Sequence, residues 1–332
     1  MKKVVVIGGG TGTFVVLSAL KALSNVDLTA IVTVADSGGS TKRLRDEFGF
    51  LAVGDLRQAL AAFTEEQGRG GDDNQNWIKN LLLYRFSKGN GLEGHNLGNL
   101  ILTALQDMTG STAKAIEVAS KIFRLQGHIF PITTKNIQLV VEYNDGTVEI
   151  GEHNLDDDKH GGDKVVSVKT SPRAKIYVKA GQAVESANAI IIGPGDLYGS
   201  IMPNLVVDGA AMAIKRSKAK LVSIMNLMTR YTQTHNLSVK DHLEVIERQI
   251  GKRFDTVVVN NAKISDEILA AYKNQHEYPV KDDLDNSRQI IRTPLIKTAL
   301  VKQLHSDAVR RSYLRHDPIK LSKIMKKIIY ES

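Results

Sequence analysis

Glycine, hydroxyl and carboxylate residues gather at three points where an apolar run of this chain ends. The first is Gly8-Gly9-Gly10-Thr11-Gly12-Thr13, between an apolar run at 3–7 and a helix-like stretch. Glycine lets backbone N–H groups approach an anion, and a following helix adds partial positive charge at its N-terminus. The turn is therefore either a phosphate cradle or a tightly packed β–α turn, and four glycines in five positions exceed what packing alone requires. It is not a P-loop, because no Gly-Lys-Ser/Thr follows. It is also a poor dinucleotide fingerprint, because Thr13 or Val15 occupies the third glycine position.

The second point is Asp36-Ser37-Gly38-Gly39-Ser40, just past a second apolar run at 28–34. Ser40 is expected to cap the helix that follows, and Arg43 and Arg45 supply cations. Asp36 is the candidate ligand for a divalent metal, Mg2+, or for a hydroxyl, although one carboxylate does not make a metal site. The third point is Gly193-Pro194-Gly195-Asp196-Leu197-Tyr198, opening towards Ser200 and Asn204. Asn226 follows in "MNLMT" after the next strand-like run. Between these lies "GLEGHNLGNL" (91–100). His95 and Asn99 are four apart and Asn96 and Asn99 three apart, so they share one helical face. His95 is either a general base or a satisfied histidine in a capped turn. In "GDLRQAL" (54–60), Asp55 reads as an N-cap and Arg57 as half of a surface ion pair.

The elements that must position these residues alternate. Strand-like runs at 3–7, 28–34, 189–192, 220–226 and 255–260 are separated by helix-like stretches at 11–23, 41–48, 55–63, 75–86, 97–108, 112–125, 208–217 and 239–250. This predicts an α/β fold: a Rossmann-like, mostly parallel, doubly wound sheet with helices on both faces. In such a sheet the loops at strand C-ends converge on one crevice. From 135 to 180 the pattern changes to alternating strands around Asn144-Asp145-Gly146, a hairpin signal, and predicts a small antiparallel β insert. The polar stretch 65–75 reads as an exposed loop. The expected organisation is a single domain over 1–332, interrupted by the 135–180 insert.

The net charge of +8 is concentrated from 286 onward, with eleven Lys or Arg against three acids. That segment, 286–332, is predicted to end in a docked helix. Asp317-Pro318 starts it, and Leu321, Ile324, Met325 and Ile328 form its apolar stripe, with lysines left in water. Low aromatic content and the lack of basic Gly-rich repeats argue against RNA binding. Cysteine is absent, so disulfides and Cys-ligated zinc are excluded. No stretch is long enough to span a bilayer and no secretory signal is evident, so a cytoplasmic protein is expected.

"GGGTG", "ADSGGSTKRLR", "GDLRQAL", "GHNLGNL", "IIGPGDLYGSIMPNLVVDG", "NLMT" and "LRHDP" occur in that order. With them the chain resembles the gluconeogenesis factor family (YvcK-like), in the superfamily of 2-phospho-L-lactate transferase (CofD-like). The resemblance spans nearly the whole chain. It implies a Rossmann-like core and a nucleotide cleft holding Gly9, Gly10, Thr11, Gly12, Thr13, Asp36, Ser37, Gly38, Gly39, Ser40, Arg43, His95, Asn96, Asn99, Gly193, Gly195, Asp196, Tyr198 and Asn226. Tyr272 and Arg315 are the implied sugar-nucleotide contacts. The chain departs from the family pattern at Thr41-Lys42, in place of Ser-Gly, and at Arg230-Tyr231-Thr232-Gln233, in place of a Gln-Pro-Gly-Glu type segment. Both departures change loop chemistry beside the cleft.

The resemblance implies a regulatory protein that binds a UDP-sugar such as UDP-N-acetylglucosamine, linked to cell shape, cell-wall precursor metabolism and growth on gluconeogenic carbon. No firm catalytic activity goes with this branch. The alternative is a Mg2+-dependent transferase acting on a nucleoside-diphosphate-activated substrate, with Asp36 and His95 as its catalytic candidates. A dehydrogenase is the weakest reading. No nucleic acid partner and no stable membrane insertion are expected, while a homo-oligomer and a regulatory protein partner stay open.

Overall fold

The computed structural model describes residues 1–35, 38–65, 76–156, 158–297 and 313–331. All but the first residue of the expected loop at 65–75, and much of the basic segment, 298–312, lie outside the described residues. The main sheet has seven strands, all parallel: β1 (Lys2–Gly8), β2 (Val26–Val32), β3 (His128–Pro131), β7 (Ala189–Ile192), β8 (Lys220–Ile224), β9 (Thr256–Asn260) and β10 (Gln289–Thr293). Their order is β10-β9-β8-β7-β1-β2-β3. Val4, Val5, Val6 and Ile7 are at most 2% exposed. A continuous β-branched run of this kind belongs to a strand covered on both faces, which is why β1 sits in the middle. The fold is the expected α/β class.

The chain winds outward from β1 to β3, then returns at β7 on the other side of β1. The β1/β7 boundary is thus the switch point where the winding direction reverses, and loops at these strand ends leave a crevice. The helices beside it are α1 (Gly10–Lys21), α2 (Gly39–Phe48), α3 (Gly54–Phe63), α4 (Trp77–Leu83), α5 (Leu97–Thr109) and α6 (Thr112–Ile122). On the β7 side are α7 (Val178–Glu185), α8 (Met202–Leu205), α9 (Ala210–Arg216), α10 (Val239–Ile250) and α11 (Asp266–Lys273). The last helix is α12 (Pro318–Tyr330), capped by the Asp317 carboxylate, which accepts from the Ile319 and Lys320 amides. It buries Leu321, Met325, Ile328 and Ile329 and packs against α1. Among the described residues no helix is long and apolar enough to cross a membrane.

The insert is a three-stranded antiparallel sheet, β5-β4-β6, from β4 (Gln138–Tyr143), β5 (Val148–Ile150) and β6 (Val165–Ser171). Gly146, at φ +85°, closes its hairpin at Asn144-Asp145-Gly146. The strand-like run 174–179 does not join it. The Tyr177 amide instead donates to the Ile132 carbonyl, returning the chain to the main sheet, and Val178 opens α7. Leu139, Val141, Tyr143 and Leu155 of the insert are buried in the same core as the main sheet.

Candidate functional site

A cleft of about 650 Å3 lies over the β1/β7 switch point. Its floor is the first glycine turn. Gly10 adopts φ +64° and its amide donates to Asp55 Oδ1 at 2.8 Å. A Cβ on Gly9 would meet Asp55 Oδ2 at 2.1 Å, and one on Gly12 would meet the Pro194 carbonyl oxygen at 2.1 Å. The turn is therefore clamped between the start of α3 and the third glycine turn, and only glycine fits. The N-cap residue, Gly9, has no side chain to cap α1, the first turn carries no acid of its own, and the Asp55 carboxylate takes the Gly10 amide from across the cleft floor. Gly9, Gly10, Thr11 and Gly12 thus line the cleft at a helix N-terminus, which favours anions.

Gly195 and Asp196 of the third turn also line the cleft. Asn226 brackets Gly195 of that turn, its Oδ1 accepting from the Gly195 amide at 3.0 Å and its Nδ2 donating to the Gly195 carbonyl at 2.8 Å. Asp196 faces Arg230, with Oδ1 3.4 Å from Nε, and Arg230 Nη1 lies 3.4 Å from Glu277 Oε1.

Asp36 and Ser37 lie outside the described residues. Gly38 and Gly39 are the N-cap and first residue of α2. Ser40 does not cap this helix, because the helix begins one residue before it. Its hydroxyl turns instead towards His95 Nδ1, at 3.2 Å, and accepts from the Asn96 amide and Asn99 Nδ2. Asn99 Oδ1 in turn accepts from Arg57 Nε at 2.9 Å. Arg57 is buried, not half of a surface ion pair, and Asp55 is not an N-cap: Val53 holds that position and Asp55 serves Gly10. Ser40, Asn96, Asn99 and Arg57 form one polar wall of the cleft.

Tyr272 and Arg315 both reach the cleft. The Tyr272 hydroxyl accepts from the Leu314 amide at 3.0 Å, fixing the segment that carries Arg315. Burial raises the Tyr272 pKa. His316, also in the wall, is held down to about pKa 4 by burial, so it is a neutral ring at neutral pH.

Five expected residues stand behind the cleft and do not line it. Thr13 is buried and donates to the Gly9 carbonyl at 3.0 Å, closing the turn. Arg43 Nη2 donates to the Glu93 carbonyl at 3.2 Å, pinning the histidine loop. His95 sits behind Ser40. Burial, and then the Arg43 cation, lower its pKa, so it orients Ser40 in place of facing a ligand. Gly193, at φ +79°, makes the bend past Ile224, whose carbonyl oxygen a Cβ would meet at 2.8 Å. Tyr198 is buried, its hydroxyl pushed up to about pKa 12 by that burial.

Arg85, Arg230, Glu277, Glu152, His153 and His316 line the cleft although the sequence assigned none of them a binding role. Two signals were available: Arg230 stands where the chain departs from its family pattern, and His316 lies inside "LRHDP". Glu152 and His153 come from the insert and carried no signal. Four arginines (57, 85, 230, 315) meet four acids (55, 152, 196, 277), so the described walls are balanced in charge. Among the described residues no three His, Asp or Glu gather as a metal site.

Comparison with known proteins agrees with this architecture. The model of the family described as 2-phospho-L-lactate transferase CofD matches residues 4–301. A "Gluconeogenesis factor" of Bacillus subtilis is 34% identical over 335 residues, covering 99% of this chain and 98% of that protein. Another, of Halalkalibacterium halodurans, is 39% identical over 281 residues, 84% of each chain. An X-ray crystal structure of a protein from Bacillus halodurans superposes with a TM-score of 0.85 at 36% identity, covering 98% of this chain and 99% of that one. The seven-stranded parallel sheet, the glycine turns at its switch point and these matches together place the chain in the gluconeogenesis factor family, within the wider family of 2-phospho-L-lactate transferase CofD.

Proposed function

We propose that this chain is a cytoplasmic regulatory protein that holds a UDP-activated sugar, such as UDP-N-acetylglucosamine, in the switch-point cleft without consuming it. It would tie cell-wall precursor metabolism and cell shape to growth on gluconeogenic carbon. The observation that carries the reading is the backbone contact between the first and third glycine turns. It brings two glycine turns together at the N-terminus of α1, whose own first turn carries no acid and where Asp55 holds the Gly10 amide; backbone amides at such a helix start suit a diphosphate. Arg57, Arg85, Arg230 and Arg315 supply planar donors for phosphate oxygens. Calorimetry with UDP-N-acetylglucosamine, UDP-glucose and NAD tests it. Both UDP-sugars are expected to bind and NAD to bind weakly or not at all; tight NAD binding without UDP-sugar binding overturns the reading.

The family match keeps a second reading, a transferase acting on a nucleoside-diphosphate-activated substrate. In that reading Mg2+ neutralises phosphate charge, with Asp36 and the phosphate oxygens as its ligands. Among the described residues no three His, Asp or Glu gather to complete such a set: Asp55 accepts from Gly10, Asp196 and Glu277 face Arg230, and Glu152 enters from the insert. Incubation with Mg2+, UDP-sugar and candidate acceptors is expected to release no UDP or UMP above a denatured-protein control. Release that needs both Mg2+ and Asp36 decides for the transferase.

A further inference from the structure

The cleft is balanced in charge overall but not along its length. Arg57 and Arg85 enter from α3 and from the segment after α4. Two carboxylates, Glu152 and Asp196, enter where the insert meets the third glycine turn, and a third, Glu277, joins them across Arg230. Glu152 Cγ and Oε1 both lie 3.4 Å from the point a Gly199 Cβ would take, and Asp196 Cβ lies 3.6 Å from that same point. Arg230 sits between Asp196 and Glu277, at 3.4 Å from each. Even with Arg315 counted, acids outnumber cations at this end by three to two.

The geometry around Glu152 is fixed by the fold. The Gly151 amide donates to the Leu139 carbonyl at 2.7 Å, the Asn154 amide donates to the Gly151 carbonyl, and Leu155 is wholly buried. Leu155, buried in the shared core, thereby holds the short turn Glu152–Asp156 in place, with the Glu152 side chain beside Gly199. The Glu277 side chain is 7% exposed and that of Arg230 15%, so water screens this pair poorly, while Glu152 and Asp196 are half-buried and only partly screened.

We infer that the insert end of the cleft selects an uncharged sugar and turns away a sugar that carries a carboxylate. The inference rests on the UDP-sugar reading above. Carboxylate oxygens accept hydrogen bonds from sugar hydroxyl and amide groups, and His153 beside Glu152 adds a ring nitrogen. A uronate brings a like charge to the same place, and like charges across a partly desolvated contact disfavour binding. Specificity then comes from repulsion as much as attraction.

Calorimetry with UDP, UDP-glucose and UDP-glucuronate, on wild type, Glu152→Gln and Glu152→Lys, tests it, with circular dichroism as a check on folding. Wild type is expected to bind UDP-glucose at least tenfold more tightly than UDP-glucuronate. Glu152→Gln should narrow that ratio threefold or more, and Glu152→Lys should close or reverse it. Equal wild-type affinity for the two sugars, or a ratio that neither variant moves, overturns the inference while UDP-sugar binding stands. Failure of all three ligands to bind wild type overturns the UDP-sugar reading itself, and this inference with it.

Discussion

Gly12 and Pro194 stand so close that a Cβ on the first would sit 2.1 Å from the carbonyl oxygen of the second, across 182 residues of sequence. By contrast, a Cβ on Gly10 would meet only Ser200 Oγ, at 3.8 Å. The two glycines therefore answer different questions. Gly12→Val forces the turns apart and is expected to destabilise the protein by about 1–3 kcal/mol, read by chemical denaturation. Gly10→Ala has room but must hold φ +64°, at a cost of about 1–2 kcal/mol. A Gly12→Val protein as stable as wild type would show that the turns are not in contact.

Asp55 replaces solvent at the start of α1 by accepting from the Gly10 amide. Hydrogen bonds to a charged group are worth about 1.5–3 kcal/mol, so Asp55→Ala should lose that much in a denaturant melt. Asp55→Asn keeps an acceptor and should lose less. Equal losses would mean that packing, not the hydrogen bond, fixes this residue.

His316 predicts a pH dependence. Its pKa is about 4 in the folded chain against 6.5 for the ordinary group, because burial penalises the imidazolium. Above pH 6.5 both states are neutral and the full stability is present. As the pH falls from 6.5 to 4, the unfolded chain takes up a proton that the folded chain refuses, and stability drops by about 3 kcal/mol. His316→Gln should remove this component from the pH profile. His95 and His242, also lowered by burial, still titrate in the variant, so the difference between the two profiles isolates His316.

Tyr198 and Tyr272 separate support from contact. Tyr198→Phe should leave UDP-sugar affinity unchanged, because the ring stands behind the cleft. Tyr272→Phe removes the hydroxyl that accepts from the Leu314 amide and should weaken binding several-fold by loosening Arg315. Calorimetry on both variants, alongside Arg315→Ala, checks the order. A Tyr198→Phe protein that loses affinity would bring Tyr198 back into the site.

The parallel sheet and the glycine turns were legible in sequence because each depends on neighbours in the chain: an apolar run, then glycines, then a helical period. Asp55 was not, since its partner Gly10 lies 45 residues away and its own surroundings look like an ordinary helix start. Ser40 failed for a local reason. The helix starts at Gly39, two residues before the expected Thr41, which redirects the Ser40 hydroxyl from a cap to His95. Glu152 and His153 were invisible because nothing in the hairpin pattern of the insert says which edge turns towards the main domain. The departure at Arg230 did mark a cleft residue, since a guanidinium in place of an amide changes what the wall can bind.

The pairing of β1 with β7 also sets an order of assembly. Val4 to Ile7 pair with β2 soon after synthesis, but their other edge waits for Ala189 to Ile192, with the whole insert emerging in between. Closing so long a loop is entropically slow, and parallel pairing rewards it late. Until then a strand that ends fully buried shows a bare apolar edge, the kind of surface on which nascent chains aggregate. The same switch point that creates the crevice thus makes it one of the last features to form. Ligand binding would report on completed folding, and refolding from denaturant should regain native helix signal before it regains the ability to bind.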